Sequence, residues 1–346
     1  MKQQGPEIKV SVLGAGSLDG FCIVDNFVRD PNVKDKNDLP ADQALTLQDD
    51  PDIAEFHVGG NGLNSAVRMA AEDGFSVQFG CVVGDDDFVS AAILRRIKEA
   101  GIECGAKIVR GYQPSAAKII LPRITLPDGR KVIGNRIIFN GKRDSMEPHW
   151  QAADIRELAK GCNAFMLASL KSHKLNERVL HEVEAPLHAL FGSSEFRKYP
   201  KALREMLERR LAEGRPVEHL SLNDDEIHEL FEDEDADTRT LVERAAGSLA
   251  THVTCTLGAD GLYIAKDNIV EHIEGIEIDP ALIKDTTGAG DRTFARISMG
   301  IMRGEDLAAA TMSAQEEAVQ LIQKFGAHGD LHSPVLKRHE LLLSAS

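Results

Sequence analysis

The stretch DTTGAGD, residues 285–291, directly precedes an apolar run whose spacing predicts a helix. Its small residues, Gly288 to Gly290, allow the backbone to bend sharply and to approach a ligand closely. Free N–H groups at the start of the predicted helix point into that bend, and the helix dipole favours negative charge there. The Asp291 carboxylate can then accept a proton from an attacking hydroxyl. The alternative is a glycine-rich turn in which Asp291 only caps the helix.

The chain around this stretch alternates between strand-like and helix-like patterns. Apolar runs predict strands at residues 8–13, 75–84, 164–170, 219–222 and 252–258. Amphipathic spacing and glycine stops predict helices at residues 64–73, 88–100, 201–213, 290–304 and 306–325, with a further helix from residue 225. Strands and helices that alternate in this way form a mainly parallel sheet covered by helices. Residues 171–200 show no clear strand pattern.

Two regions depart from this alternation. Residues 106–141 contain short β-rich runs separated by glycine and Pro-Asp-Gly turns, with no room for a helix between them. They predict an antiparallel patch attached to the α/β core, in the position of a lid. Residues 28–56 are polar and contain several prolines, which predicts an insertion or a mobile segment.

Composition excludes several classes of protein. The net charge of -15 argues against a nucleic-acid partner and an anionic membrane surface, because both need a basic footprint, but it is compatible with a nucleotide. No apolar stretch approaches the roughly 20 residues that a membrane-spanning helix needs. The five cysteines form no CxxC pair, and the N-terminus shows no apolar signal core. We therefore expect a cytoplasmic protein with no nucleic-acid or membrane partner.

Other familiar motifs are incomplete or absent. Residues 14–19 read GAGSLD after a strand, but the third glycine of a dinucleotide fingerprint is missing. The sequence contains neither a GxxxxGK[ST] loop nor a GxSxG elbow. The spacing of His173, His181 and His188 fits no metal pattern, so these side chains are expected to face solvent.

DTTGAGD resembles the second signature of the ribokinase-like (PfkB) family of carbohydrate kinases. Further resemblances follow the family's order along most of the chain: GAGSLD at 14–19, GGNGLNSA at 59–66, GCVVGDDD at 80–87, NDDE at 223–226 and TLGADG at 256–261. The resemblance implies a doubly wound α/β fold, with a mainly parallel sheet and a small β-sheet lid. It also implies one domain over residues 1–346, with the lid drawn from about 15–58 and 106–141.

The resemblance also implies roles for particular residues. Asp291 would be the catalytic base, beside an anion hole made by the N–H groups of Gly288, Ala289 and Gly290. The residues that would hold the acceptor are Asp19, Gly59, Gly60 and Asn64. A helix cap is the alternative role for Asn64. Arg143 follows the predicted lid and is a candidate contact for an anionic acceptor, with a surface role as the alternative.

On the nucleotide side, the resemblance implies ATP and Mg²⁺ as cofactors. Glu226, and Asn223 through water, would hold the metal, although the same pair also reads as a helix capping box. The residues implied around the nucleotide are Asn223, Thr256, Gly258, Gly261, Gly288, Gly290 and Gly326. A monovalent cation near Asp285 and a homodimer through the lid are further implications of the resemblance.

The chain departs from the family's pattern just after Asp291. Arg292, Thr293 and Arg296 stand where the family has a small residue, an aromatic residue and a glycine. Arg296 is expected either to bind an anionic group or to face solvent. The predicted function is ATP-dependent phosphoryl transfer to a hydroxyl of a sugar or sugar-like metabolite. The alternatives are a non-catalytic nucleotide- or sugar-binding regulator of the same fold, and a vitamin- or nucleoside-type kinase.

Overall fold

A computed structural model of the protein describes residues 7–25, 55–126, 128–133, 137–141, 143–328 and 336–337. Most of the predicted insertion at 28–56 lies outside these residues. Among the described helices, none has the length and apolar character needed to cross a membrane.

The described residues form strands and helices in alternation. The strands are β1 (Ile8–Gly14), β2 (Ser17–Asp25), β3 (Glu55–Gly59), β4 (Phe75–Gly80), β5 (Val82–Gly84), β6 (Glu103–Cys104), β7 (Lys107–Val109), β8 (Ser115–Thr125), β9 (Lys131–Ile133), β10 (Ile137–Asn140), β11 (Ala164–Ala168), β12 (Leu187–Leu190), β13 (Val217–Asn223), β14 (Ala250–Thr256), β15 (Leu262–Lys266), β16 (Ile269–Ile273) and β17 (Leu336–Lys337). The helices are α1 (Asn61–Ala70), α2 (Phe88–Glu99), α3 (Ala152–Ala159), α4 (His173–Glu182), α5 (Ser193–Lys198), α6 (Pro200–Ala212), α7 (Asp224–Phe231), α8 (Thr238–Ser248), α9 (Ala289–Arg303) and α10 (Leu307–Ile322).

The large sheet has nine strands in the order β16-β15-β14-β13-β12-β11-β1-β4-β6. Its strands are parallel from β14 through to β6, and β15 and β16 are antiparallel at one edge. The strand order reverses at β1, which lies between β4 and β11. The predicted mainly parallel, doubly wound sheet is therefore confirmed.

Helices cover both faces of this sheet because its central strands are apolar on both faces. In β11, Phe165 and Leu167 pack in one core cluster with residues of α4, α6, α7 and α8, whereas Met166 packs in the other. In β1, Leu13 faces the first cluster and Val12 faces the second, which includes residues of α1, α2 and α9. Successive side chains of a strand point to opposite faces, so an unbroken apolar run predicts burial on both.

The second sheet has the order β10-β8-β2-β3-β17, with β9 paired to β8. Its pairings are antiparallel except that between β2 and β8, which is parallel. Within residues 106–141, the predicted antiparallel patch is confirmed for β8, β9 and β10, whereas β7 pairs parallel with β5 in a separate two-stranded sheet. A parallel pairing needs a long crossover connection, and the residues between β2 and β8 provide it. The role of this sheet as a lid stays a prediction.

The sequence patterns missed the elements between residues 171 and 200. This segment contains α4, β12 and α5. Helix α4 buries Leu175, Val179 and Leu180, which is a helical spacing. The expectation that His188 faces solvent is wrong, because it lies in β12 and is only 1% exposed.

Candidate active site

The residues singled out from the sequence gather at one edge of the large sheet. Parallel strands end at the same edge, and β1, β11, β13 and β14 end there at Gly14, Ala168, Asn223 and Thr256. Gly14 is paired in register with Ala168, and Asn223 with Thr256. Strand order reverses between β1 and β11, and doubly wound sheets have their ligand-binding crevice at such a point, at the carboxyl ends of the strands.

The N-terminus of α9 is shaped by two glycines with different requirements. Gly288 caps the helix in the left-handed conformation, with a φ of 79°, and a Cβ there would lie 2.5 Å from the Cβ of Ala327. Gly290 lies in the first turn, and a Cβ built on it meets no protein atom within 4 Å. Open space therefore borders the helix start, beside N–H groups that have no intrahelical partner.

Asp285 fixes the turn that leads into this helix. Its Oδ1 accepts hydrogen bonds from the Thr287 backbone N–H at 2.9 Å and from the Thr287 hydroxyl at 2.7 Å. Its Oδ2 accepts from the Gly326 N–H at 3.0 Å. The Asp285 carboxylate is buried and joins the predicted nucleotide residue Gly326 to the start of α9.

Asn64 is brought against Asp291 by the packing of α1 on α9. The Asn64 side-chain amide donates to Oδ2 of Asp291 at 2.7 Å, and both residues are buried. The N-cap of α1 is Gly60, so the alternative role of Asn64 as a helix cap is wrong. The buried Oδ1 of Asn64 accepts no hydrogen bond from the described part of the chain.

Asp19 and the paired glycines lie beside these two residues. Asp19 is buried in β2, and its Oδ1 accepts from the Ser17 hydroxyl at 3.1 Å. A Cβ on Gly59 would lie 2.6 Å from Oδ2 of Asp19. Gly60 has a φ of 100°, which an L side chain rarely adopts, and its carbonyl accepts from the Asn64 N–H at 2.8 Å. The four predicted acceptor residues are therefore adjacent in space.

Two cations extend this part of the site. Arg143 is half-buried and interacts electrostatically with Tyr112, Glu195 and Tyr199. Lys171, which sequence reasoning missed, follows β11 at the crevice and interacts with Arg143. The available signal was its place just after an apolar strand, at the edge where the other site residues gather.

Asn223 and Glu226 form the predicted capping box at the start of α7. Oδ1 of Asn223 accepts from the Glu226 N–H at 2.9 Å, and Oε2 of Glu226 accepts from the Asn223 N–H at 3.0 Å. The Ser193 hydroxyl donates to Oε1 of Glu226 at 2.6 Å. Burial raises the pKa of Glu226 to about 7 despite these hydrogen bonds.

Thr256 ends β14 and leads into a tight glycine turn. Gly258 and Gly261 have φ values of 64° and 98°, and the Leu257 N–H donates to the Gly261 carbonyl at 2.8 Å. A Cβ on Gly261 would lie 2.1 Å from a backbone carbonyl oxygen. The next residue, Leu262, packs against residues of α9 and α10, so the turn lies beside the helices that carry Asp291 and lead to Gly326.

The arginines after Asp291 lie in an ion-pair network. Nε of Arg292 lies 3.2 Å from Oε2 of Glu317, and Nη2 of Arg296 lies 2.9 Å from Oε2 of Glu305. The Arg296 side chain is only 14% exposed, so the expectation that it faces solvent is wrong. Acidic partners supplied by and near α10 accommodate these departures from the family's pattern.

Comparisons with known proteins identify the family and the fold. A family model described as pfkB family carbohydrate kinase matches residues 22–334. The ribokinase of Lactococcus lactis subsp. lactis (strain IL1403) is 25% identical over 324 residues, covering 93% of each chain. The ribokinase of Bacillus subtilis (strain 168) is 25% identical over 295 residues, covering 83% of this chain and 87% of that protein.

Solved structures show the same fold. The adenosine kinase from Sinorhizobium meliloti has a TM-score of 0.74 at 18% identity, covering 99% of this chain and 100% of that chain. The Arabidopsis thaliana ribokinase complexed with ribose and ATP has a TM-score of 0.68 at 17% identity, covering 99% of each chain. The large sheet, the glycine-flanked helix start at Asp291 and the family match together lead to one assignment: the chain belongs to the pfkB family of carbohydrate kinases.

Proposed function

We propose that this kinase transfers the γ-phosphoryl group of ATP to a hydroxyl of a sugar or sugar-like metabolite, with Asp291 as the catalytic base. The observation that carries this proposal is the place of Asp291, which lies in the first turn of α9, beside open space and in contact with Asn64. The relatives named ribokinase and the ribose- and ATP-bound neighbour support the choice of substrates.

In the proposed step, the acceptor oxygen attacks the γ-phosphorus. A new bond forms between this oxygen and phosphorus, and the bond from phosphorus to the β,γ-bridging oxygen breaks. The electron pair of the broken bond leaves with ADP, and the hydroxyl proton passes to the Asp291 carboxylate. Asn64 holds Oδ2 of Asp291 through its 2.7 Å hydrogen bond and so orients the carboxylate toward the acceptor.

The start of α9 would stabilise the charge on the transferring group. The N–H groups of Gly288, Ala289 and Gly290 form the proposed anion hole, together with the positive end of the helix dipole. The Ala289 N–H makes only a long hydrogen bond of 3.4 Å to the Thr286 carbonyl. Fixed donors of this kind stabilise charge in a transition state without reorganising.

The nucleotide would extend from this anion hole along the sheet edge. The residues proposed to line it are Asn223, Thr256, Gly258, Gly261, Gly288, Gly290 and Gly326. Because Asn64 contacts Asp291, an acceptor held there would have its hydroxyl close to the proposed base. The proposed acceptor contacts are Asp19, Gly59, Gly60, Asn64 and Arg143.

Glu226 is the proposed protein contact for Mg²⁺, with Asn223 acting through water. The described residues contain no cluster of three or more metal-ligating side chains. A sparse site of this kind fits Mg²⁺, which keeps several waters and uses one or two carboxylates together with phosphates. The cation would neutralise charge on the phosphates during transfer.

Three further expectations stay predictions, two from the resemblance and one from composition. A monovalent cation beside Asp285 would have to share oxygens that already accept hydrogen bonds from Thr287 and Gly326. The other two predictions are a homodimer through the second sheet and a cytoplasmic location.

The non-catalytic regulator was suggested by Arg292 and Arg296. Both have acidic partners, so neither gives a reason to expect a changed reaction. A vitamin-type acceptor has no independent support from the site. Nucleosides contain a sugar, and adenosine kinases share this fold, so nucleosides belong in the acceptor panel.

The test is ATP turnover with Mg²⁺ across neutral sugars, sugar acids, sugar phosphates and nucleosides, with Asp291→Asn measured in parallel. We expect turnover with one acceptor class and a loss of about a hundred- to ten-thousandfold in kcat for the variant, which is the usual contribution of a general base. Full activity of Asp291→Asn would overturn the role of Asp291. Bound ATP without turnover across the whole panel would favour the regulator.

A further inference from the structure

The crevice beside Asp19 contains a concentration of positive charge that the composition does not lead one to expect. The chain has 40 basic and 55 acidic residues. Yet the Lys171 side chain interacts electrostatically with two further cations, Arg143 and Lys198, as well as with Asp19 and Glu195. Two cations and two carboxylates therefore act electrostatically on Lys171.

Lys171 is held in an unusual backbone conformation at the end of β11. Both Ser169 and Lys171 have positive φ values, 40° and 54°. A positive φ is uncommon for residues other than glycine, and strained backbone of this kind is found more often at functional sites than elsewhere. The segment follows Ala168, which is paired with Gly14 of β1, so it lies at the crevice where strand order reverses.

A buried carboxylate imposes this conformation. Glu195 has no exposed surface, and its Oε1 accepts from the Lys171 backbone N–H at 3.0 Å. Oε1 also accepts from the Asn176 amide at 2.6 Å, while Oε2 accepts from the Gly192 N–H at 2.6 Å. Because backbone and amide donors occupy its oxygens, Glu195 positions Lys171 and does not pair with its ammonium group.

The adjoining residue, Asp144, fixes the backbone beside Arg143. Asp144 and Gln113 exchange two hydrogen bonds, one of 2.9 Å from the Asp144 N–H and one of 2.8 Å to the Asp144 carboxylate. The Gly141 N–H donates to Ala116 at 2.8 Å, and Ala116 is the register partner of Leu18. Arg143 therefore lies close to the part of β2 that carries Asp19.

Glu195 attracts both cations and Asp19 also attracts Lys171, but neither cation forms an ion pair with a carboxylate in the part of the chain that the structure describes. Within the described ranges, no hydrogen bond or ion pair joins the side chain of Arg143 or Lys171 to another residue. Lys171 is exposed, yet protein surrounds it as in a cleft, and this desolvation, with repulsion from Arg143, lowers its pKa to about 8. Desolvation also lowers the pKa of Arg143. A bound anion would offset the unfavourable desolvation of both cations.

We propose that the acceptor of this kinase carries a phosphate or carboxylate group, which Arg143 and Lys171 bind in the crevice while the reacting hydroxyl faces Asp291. This inference rests on the proposed kinase function and narrows its substrate class to anionic sugar derivatives. Both anions offer oxygens that a guanidinium and an ammonium group bind well. Balancing Asp19 and Glu195 does not account for the cations, because both carboxylates have other donors.

The test compares each neutral sugar with its own phosphate and its own acid, with the kinetics of Arg143→Gln, Lys171→Gln and Lys174→Gln measured alongside. Lys174 is an exposed control on the same segment. We expect kcat/KM for one anionic acceptor to exceed that of its neutral parent at least about tenfold. Each crevice variant should lower the anionic value about ten- to a hundredfold more than the neutral one, as loss of a charged hydrogen bond does. Arg143→Lys should recover part of the loss.

A higher kcat/KM for the neutral sugar than for its phosphate or acid would overturn the anion site and leave the kinase proposal standing. The same would follow if the crevice variants lost equal factors in kcat/KM on the neutral and the anionic acceptor. If nothing is phosphorylated, calorimetry with the same sugar phosphates and acids decides. Binding to the wild-type protein and to Asp291→Asn that is lost in Lys171→Gln would support the anion site while the proposed reaction fails. Absence of binding would overturn the anion site. Comparison of the sugar phosphates with the sugar acids shows whether the site binds a phosphate or a carboxylate group.

Discussion

The side-chain amide of Asn64 donates a 2.7 Å hydrogen bond to Oδ2 of Asp291, linking the second turn of α1 to the first turn of α9. The two residues are 227 positions apart, so the bond exists only once the two helices pack on the sheet. Asn64 belongs to the family's first signature, residues 59–66, and Asp291 to its second, residues 285–291. A side chain of the first signature thus orients the carboxylate of the second.

Asn64→Leu should lower kcat about ten- to a hundredfold, because a hydrogen bond to a charged group contributes roughly 1.5–3 kcal/mol. Steady-state kinetics with the best acceptor measures the effect. The matched control is Asn61→Leu, at an exposed position in the same helix. An unchanged kcat for Asn64→Leu would show that Asp291 does not depend on this orientation.

Gly290→Ala should separate activity from stability. The protein leaves space for the added methyl group, and Ala is about 1 kcal/mol better than Gly in a helix, so the free energy of unfolding should not fall. Activity should fall at least about tenfold, because the methyl group occupies the space proposed for the phosphates. Urea unfolding and ATP turnover are the measurements.

The comparison variant is Gly288→Ala. It places a side chain at a φ of 79° and against Ala327, so it should lower the free energy of unfolding by about 1–3 kcal/mol. A Gly290→Ala protein with unchanged turnover would place the nucleotide elsewhere.

The raised pKa of Glu226 predicts how stability depends on pH. The pKa of this carboxyl group is about 7 in the folded protein, against an ordinary value of 4.5 for glutamate. Between these values the folded state binds more protons than the unfolded state, so stability should fall as pH rises from about 4.5 to 7, by on the order of 3 kcal/mol. Glu226→Gln should remove this slope.

Urea unfolding at several pH values, with the exposed Glu208→Gln as the control, tests the prediction. Equal slopes for the wild-type protein and Glu226→Gln would contradict it. If Glu226 also binds Mg²⁺, Mg²⁺ affinity should rise with pH over the same range, because the cation requires the ionised carboxylate.

Glu317 lies among three arginines, and its removal should be costly. Its carboxylate accepts from Nε of Arg68 at 2.6 Å and from Nε of Arg292 at 3.2 Å, and it lies 3.8 Å from Arg296. Glu317→Gln would leave partly buried like charges facing one another. We expect the free energy of unfolding to fall by about 2–4 kcal/mol, with a smaller loss at high salt.

The neighbouring Glu316→Gln is the control, because this side chain is exposed. Denaturant unfolding at two salt concentrations measures both variants. Equal stabilities would show that the network is dispensable.

Sequence patterns predicted the large sheet well because its central strands are apolar on both faces, and because β1 and β4 end at glycines. The family's signatures also identified Asp291, Asn64 and Asp19, which the structure places close together at one edge of this sheet. The patterns failed between residues 171 and 200, where β12 has only four residues and α4 and α5 carry many charges.

Lys171 was missed for a physical reason. Its role depends on a backbone conformation that Glu195 imposes from 24 positions away, and no local pattern reports such a contact. The parallel pairing of β2 with β8 was missed for the same reason, since register between distant strands is a property of the assembled molecule.

That pairing constrains the order of folding. Ser17 lies beside Ser115, and the chain between them contains α1, β4 and α2, which belong to the large sheet and its covering helices. Closing so long a loop is entropically unfavourable until the intervening elements have packed. The second sheet should therefore form after the large sheet, and local opening should begin there. The backbone amides around Asp19 should then exchange their hydrogens earlier than those of the large sheet.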